Sequence, residues 1–224
     1  MDGVHINPMS NEDFSGSAPR TTYRHGDLRR ALLEAGIALA REGGPGAIVL
    51  RETTRRAGVV PNAAYRHFGS RQELFASVRA AALGALAEAM EREWVKADGI
   101  AEPAERARAQ LAAVGRGYLG FAQAETGLFR TAFASGEHDV EVPRDPARTS
   151  SMGLNPFELL GAALDAMVQA GVLPAERRPG AEYLAWSAVH GMALLIIDGP
   201  LRTAPPDVRQ NLGRRLLHMV ELGL

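Results

Sequence analysis

The chain has 224 residues, 46% of them hydrophobic and 23% charged, with a formal net charge of −1 and no cysteine. That composition belongs to a globular protein long enough to bury a sizeable core without covalent staples, and it excludes disulfides, thiolate metal sites and cysteine nucleophiles. No apolar run approaches the ~20 residues that span a bilayer, and the polar, acidic stretch from Met1 to Ala18 lacks the apolar centre of a secretory signal. The expectation is a cytoplasmic protein with no membrane partner.

The near-neutral charge conceals an asymmetry. Residues 1–19 carry three acids and no base, and residues 81–224 carry eighteen acids against fourteen bases. Residues 20–80 carry eleven arginines against five acids, a surplus of +6. A basic block of this kind suits a polyanion-binding module, although a cluster of solvated arginines has the same composition.

In chain order, residues 1–19 lack periodicity and read as a disordered tail. Leu28, Leu32, Ala35 and Leu39 repeat at helical spacing, which predicts an amphipathic helix over 27–42 with Asp27 as N-cap, stopped by Gly43-Gly44-Pro45-Gly46. Two short helices, 50–57 and 61–67, flank Gly58-Val59-Val60, where Gly58 suits a left-handed helix end and Pro61 a first turn. Ser70-Arg71-Gln72-Glu73 is a capping box opening a long helix to about Lys96. Helices over 103–124 and 126–134 follow, then a loop over 135–150 rich in Gly, Asp, Pro and Arg. Asn155-Pro156 opens a helix to about Ala170, and two more cover 180–198 and 206–222. Ala47–Leu50 is the one strand candidate and is too short, so the fold class is all-α with about nine helices.

At ~100° per residue, Asn62, Ala63, Tyr65 and Arg66 share one side of the 61–67 helix, while Ala64 and Phe68 fall on the other. This is the layout of a recognition helix, with small residues near its N-terminal end and Phe68 anchored in a core. Arg66 can donate to guanine and Asn62 can pair with adenine, while Tyr65, His67 and Arg71 suit phosphates.

The run from Tyr23 to Ala35, then Leu50-Arg51-Glu52, Arg55-Arg56-Ala57-Gly58-Val59 and Ala64-Tyr65-Arg66-His67-Phe68, resembles the DNA-binding domain of TetR/AcrR-type transcriptional regulators. Trp186-Ser187-Ala188-Val189-His190-Gly191 resembles the Trp-x-x-x-His-Gly signature of one C-terminal subgroup, and Tyr118 to Phe133 its aromatic segment. The resemblance implies that Asn62, Ala63 and Arg66 read bases and that Tyr65, His67 and Arg71 contact the backbone. The chain departs from the family pattern at Val49 and Val60, where Ser or Thr caps are usual, and at Thr53-Thr54, where Ile-Ala is usual. The resemblance also implies a helical C-terminal domain enclosing a ligand cavity, for which Trp94, Phe121, Trp186 and His190 are the candidate contacts.

Other chemistry is weaker. Gly115-Arg116-Gly117-Tyr118-Leu119-Gly120 spells a dinucleotide fingerprint but lies inside a helix with no strand before it, so its glycines are expected to permit close packing. His138, Asp139 and Glu141 could hold a metal only from a loop. No catalytic motif, cofactor or metal site is expected, and the chain is not expected to be an enzyme. Apolar positions on the last two helices (Leu184, Ala188, Met192, Leu195, Ile196; Leu212, Leu216, Leu217, Met219, Val220) predict a four-helix homodimer interface.

The combined expectation has three parts: a tail over 1–19, a three-helix helix-turn-helix domain over 20–72, and a ligand-binding and dimerisation domain over 73–224. Such a protein would be a regulator, released from a two-fold double-stranded DNA operator by a small-molecule effector. The alternatives are a constitutive DNA binder without an effector and a small-molecule-binding module that does not bind DNA.

Overall fold

The computed structural model describes residues 25–134 and 145–224. Nine α-helices and no strand occur among the described residues. The tail over 1–19, and with it His138, Asp139 and Glu141, lies outside them.

Three helices form the N-terminal unit: α1 (His25–Gly43), α2 (Leu50–Arg56) and α3 (Pro61–Ala64). Because α1 begins at His25, Asp27 lies in its first turn and is not its N-cap. The segment 45–47 is a 3-10 turn, so the strand candidate at Ala47–Leu50 is absent. Leu32, Ile48, Ala64 and Phe68 are fully buried together, with Leu74 and Val78 of the next helix closing the same core.

The unusual threonines of α2 are buried and satisfied. Thr53 Oγ1 donates to the Val49 carbonyl at 3.0 Å and Thr54 Oγ1 to that of Arg51 at 2.8 Å. Each hydroxyl bonds back to its own helix, which lets it occupy an apolar position without an orphaned donor. Gly58 adopts φ +69°, and Val59 N–H reaches back to the Thr54 carbonyl at 3.0 Å. A left-handed residue followed by this back-bond is the usual glycine-dependent helix stop.

The long helix α4 (Arg71–Trp94) carries the chain out of this unit. Ser70 Oγ accepts from Glu73 N–H at 3.1 Å, while Glu73 Oε2 reaches one residue beyond the cap, to Gly69 N–H at 2.7 Å. α5 (Pro103–Ala124) runs antiparallel beside α4, as the contacts Gln110–Asp98 and Arg116–Glu93 require. A Cβ on Gly117 would sit 2.5 Å from the Met90 Cα, so this crossing needs glycine. The fingerprint-like glycine run therefore includes a packing position, not a phosphate loop.

α6 (Thr126–Ala132), α7 (Pro156–Gln169), α8 (Ala181–Ile197) and α9 (Pro206–Gly223) surround α5, which touches all of them and α4. Asn155 forms a full capping box with Glu158 at the start of α7. Within the expected 135–150 loop, Pro146–Arg148 forms a 3-10 turn packed on α4.

Candidate DNA-contacting surface and ligand cavity

α3 is shorter than its sequence predicts. Helical geometry ends at Ala64, and residues 65–67 continue as a turn in which the Ala64 carbonyl accepts from both His67 and Phe68 N–H at 2.9 Å. Val60 supplies no side-chain cap, and a single turn gains too few bonds to propagate. The sidedness persists nonetheless. Ala63 belongs to α3; Asn62 and Arg66 are exposed, Tyr65 is 57% exposed and His67 is half-buried, while Ala64 and Phe68 are fully buried.

The charges around this surface are arranged more sparingly than the surplus of arginine suggests. Arg55 grips Glu52 with two bonds, at 2.8 and 2.5 Å, and Arg56 grips Glu42 at 2.7 and 2.5 Å. These bonds hold both carboxyls below their ordinary range. Arg29 lies 4.9 Å over the Phe68 ring, and Arg71 Nε donates to the Ile48 carbonyl at 3.0 Å. Arg66 is exposed and has no ion-pair partner among the described residues. The α2–α3 surface thus presents Asn62, Tyr65 and Arg66 to solvent over a core fastened by neighbouring arginines.

A second site lies among α4 to α9. A cavity of about 320 Å³ is walled by Leu83 and Met90 of α4, Leu111 and Tyr118 of α5, Phe133, Phe157 of α7, Trp186 of α8 and Leu217 of α9. Its size and apolar lining with a few polar groups are those of a small-molecule pocket. Tyr118 is 5% exposed. Its oxygen accepts from Trp186 Nε1–H at 3.1 Å and lies 2.7 Å from His190 Nδ1. The indole N–H can only donate, so the phenol oxygen is its acceptor, and the same oxygen shares a second hydrogen bond with the imidazole. Burial pushes the Tyr118 phenol above its ordinary value, against a smaller downward pull from the Trp186 bond.

Of the four residues expected at a ligand, Trp186 alone is in the wall. His190 stands behind Tyr118 and Phe133, 4.9 Å from the Phe133 ring centre. Phe121 and Trp94 are buried on α5 and α4 outside the cavity. Sequence reasoning did not select Tyr118, Phe133, Phe157 or Arg148 as contacts. For Tyr118 a signal existed: Leu111, Gly115 and Tyr118 share one helical face, all three in the wall, whereas Phe121 lies one turn farther along.

An apolar face remains uncovered on α8 and α9: Leu184 is 64% exposed, Leu195 44%, Met219 58% and Leu222 67%. Three residues expected there belong elsewhere. Ile196 is buried, and Leu217 and Val220 line the cavity.

Among the described residues no helix is long and apolar enough to cross a membrane, and no cluster of His, Asp and Glu could hold a metal. The fold and the exposed α2–α3 surface define a helix-turn-helix transcriptional regulator with a helical C-terminal domain. Residues 32–78 match the family of bacterial regulatory proteins named after TetR, and residues 111–220 match the tetracycline-repressor-like C-terminal domain. The chain belongs to the TetR family of transcriptional regulators. No curated protein matches it. Among solved structures it is similar to a Rhodococcus sp. RHA1 protein of unknown function, with 25% identity over 92% of this chain and 99% of the other, at a TM-score of 0.69. It shares its fold with FadR from Bacillus subtilis, solved with stearoyl-CoA, at 15% identity, 87% and 98% coverage and TM-score 0.61. The same holds for PfmR from Thermus thermophilus, at 22% identity, 86% and 98% coverage and TM-score 0.50.

Proposed function

We propose that this chain is a homodimeric repressor that binds a two-fold operator through residues 20–72 and is released by a small molecule held in residues 73–224. The carrying observation is the cavity and its connection to the DNA-binding unit. Ala132 and Phe133, at the end of α6, line the cavity. At the other end of α6, a Cβ on Gly127 would sit 2.3 Å from the Ala40 carbonyl oxygen of α1, and Glu125 pairs with Arg41 at 2.7 Å. α4 supplies a parallel route, with Leu83 and Met90 in the wall and Leu74 and Val78 in the core below α1. A ligand that separates these walls is positioned to tilt the DNA-binding unit. The coupling therefore runs through α6 and the stretch of α4 from Leu74 to Met90, rather than around Trp94.

The uncovered apolar residues of α8 and α9, two packed helices, support a dimer, since large exposed apolar surface marks an interface. Two such units read half-sites about one helical turn, ~34 Å, or a small multiple apart. Asn62, Ala63 and Arg66 read bases, while Tyr65, His67 and Arg71 hold phosphates. The spacing of Trp186, His190 and Gly191 supports membership of the subgroup carrying the Trp-x-x-x-His-Gly signature.

Selection of genomic fragments followed by footprinting identifies the operator. On it, Arg66→Ala is expected to cost ~1–3 kcal/mol and relax one base position per half-site, while Tyr65→Ala weakens all sequences alike. Unchanged base preference in Arg66→Ala removes Arg66 as a reader. Affinity should fall with salt at about −0.9 per phosphate contacted. The slope should fall well short of the arginine count, because Arg55 and Arg56 are held by Glu52 and Glu42. Once a ligand is identified, equal calorimetric affinities for free and operator-bound protein would leave a constitutive DNA binder, because coupling must be reciprocal.

A further inference from the structure

The polar groups of the cavity are concentrated in one stretch of chain. Among the described residues, Asp145, Arg148, Thr149, Asn155 and Glu158 all come from the segment between residues 145 and 158, and Arg79 of α4 is the other charged residue in the lining. α5, α8 and α9 contribute carbon surface, broken only by the Tyr118 hydroxyl and the Trp186 N–H.

The formal charges in this lining balance, but the hydrogen bonding does not. Asp145 Oδ1 accepts from Ala147 N–H at 3.0 Å, and Glu158 Oε2 accepts from Asn155 N–H at 2.8 Å. Asn155 Oδ1 is occupied by the N–H groups of Phe157 and Glu158, both at 2.9 Å. The acidic and amide groups are thus already engaged with backbone donors. Arg148 differs: its Nε is buried and finds no acceptor among the described residues. The nearest carboxylate oxygen, Asp145 Oδ2, stands 3.6 Å away, beyond hydrogen-bond reach. The Arg148 side chain is 25% exposed and lines the cavity, so a ligand there can bring its outer guanidinium N–H groups the acceptor that the described residues do not supply.

We infer that the cavity takes a compact organic carboxylate, its aromatic or short acyl body against Phe133, Phe157 and Trp186 and its carboxylate accepting from Arg148. This rests on the cavity being the effector site. The planar guanidinium fork matches a carboxylate better than any single-point acceptor. A volume of about 320 Å³ is at the low end of the ~300–1,000 Å³ range of small-molecule pockets, which suits one or two rings rather than a long acyl chain. Aromatic walls also stack on organic cations. Here a cation would face Arg79 and Arg148, and Asp145 and Glu158 each already accept from a backbone N–H.

The test is calorimetry on the full chain with phenylacetate, 4-phenylbutyrate, 1-naphthoate and octanoate, each beside the primary amide and primary amine of the same skeleton. The expected result is at least one acid binding roughly tenfold or more tighter than its own amide and amine. In Arg148→Gln that preference should vanish while amide binding is retained. Amides or amines binding as tightly as the acids, or a preference that survives in Arg148→Gln, overturns the carboxylate and leaves the cavity as an effector site. Binding by no member of the panel overturns both. The comparison of acid with amide on the unmodified chain decides the matter even if Arg148→Gln folds poorly.

Discussion

Replacing Tyr118 by Phe removes one oxygen and leaves a ring. The ring's packing should survive, including the edge-on contact with Phe129 at 5.4 Å and 90°. Lost are the acceptor for Trp186 Nε1–H at 3.1 Å and the partner of His190 Nδ1 at 2.7 Å. Leaving a buried polar group unpaired costs about 1–3 kcal/mol. Trp186 and His190 are each half-buried, so water can recover part of this; a net loss of about 1–2 kcal/mol is expected. For a chain of this length each kcal/mol shifts Tm by roughly 2–4 °C, so calorimetric scans at fixed protein concentration should show a fall of about 2–8 °C. The phenol adds a pH signature. Its folded value is raised by burial, so above about pH 10 the unfolded chain releases a proton that the native chain keeps. Stability from this group is complete below that pH and is lost as pH rises through the folded value; Tyr118→Phe should flatten that part of the alkaline decline. A Tm within a degree of the unmodified protein, with the same alkaline slope, would refute the bridging role of the hydroxyl.

Two further variants test the seams. Gly127→Ala places a methyl 2.3 Å from the Ala40 carbonyl oxygen and 2.4 Å from that of Arg41, where only backbone can yield. It should cost about 1–3 kcal/mol by overpacking and alter operator affinity; urea unfolding and a footprinting titration that both match the unmodified protein would count against α6 as the contact to α1. Leu184→Glu with Leu195→Glu places charges on the uncovered face of α8. Light scattering should then report a monomer at micromolar concentration, and a persistent dimer would move the interface elsewhere.

Most of the helical framework was legible because its punctuation is local. Pro103 opens α5, Asn155 and Glu158 cap α7, and Gly58 ends α2 at φ +69°, each acting through residues within a turn of itself. Even where local signals missed, they missed by little: α1 begins two residues before Asp27, and α3 stops at Ala64, three residues short of the expected end. The sidedness around Phe68 was also readable, because alternation of apolar and polar residues needs no knowledge of distant chain.

The cavity was not readable in the same way. Helical spacing shows which residues share a face, but not whether that face meets a packed neighbour or a void. Phe121 and Trp186 look alike in a sequence, yet only Trp186 borders the cavity, because what stands opposite each comes from other helices. Charge behaves similarly. Composition gave eleven arginines between residues 20 and 80, and only the fold brings Arg56 to Glu42 and Arg41 to Glu125. Local bonding patterns determined where this chain turns helical; the packing of helices distant in sequence decided which side chains are spent on holding the fold and which remain for DNA and ligand.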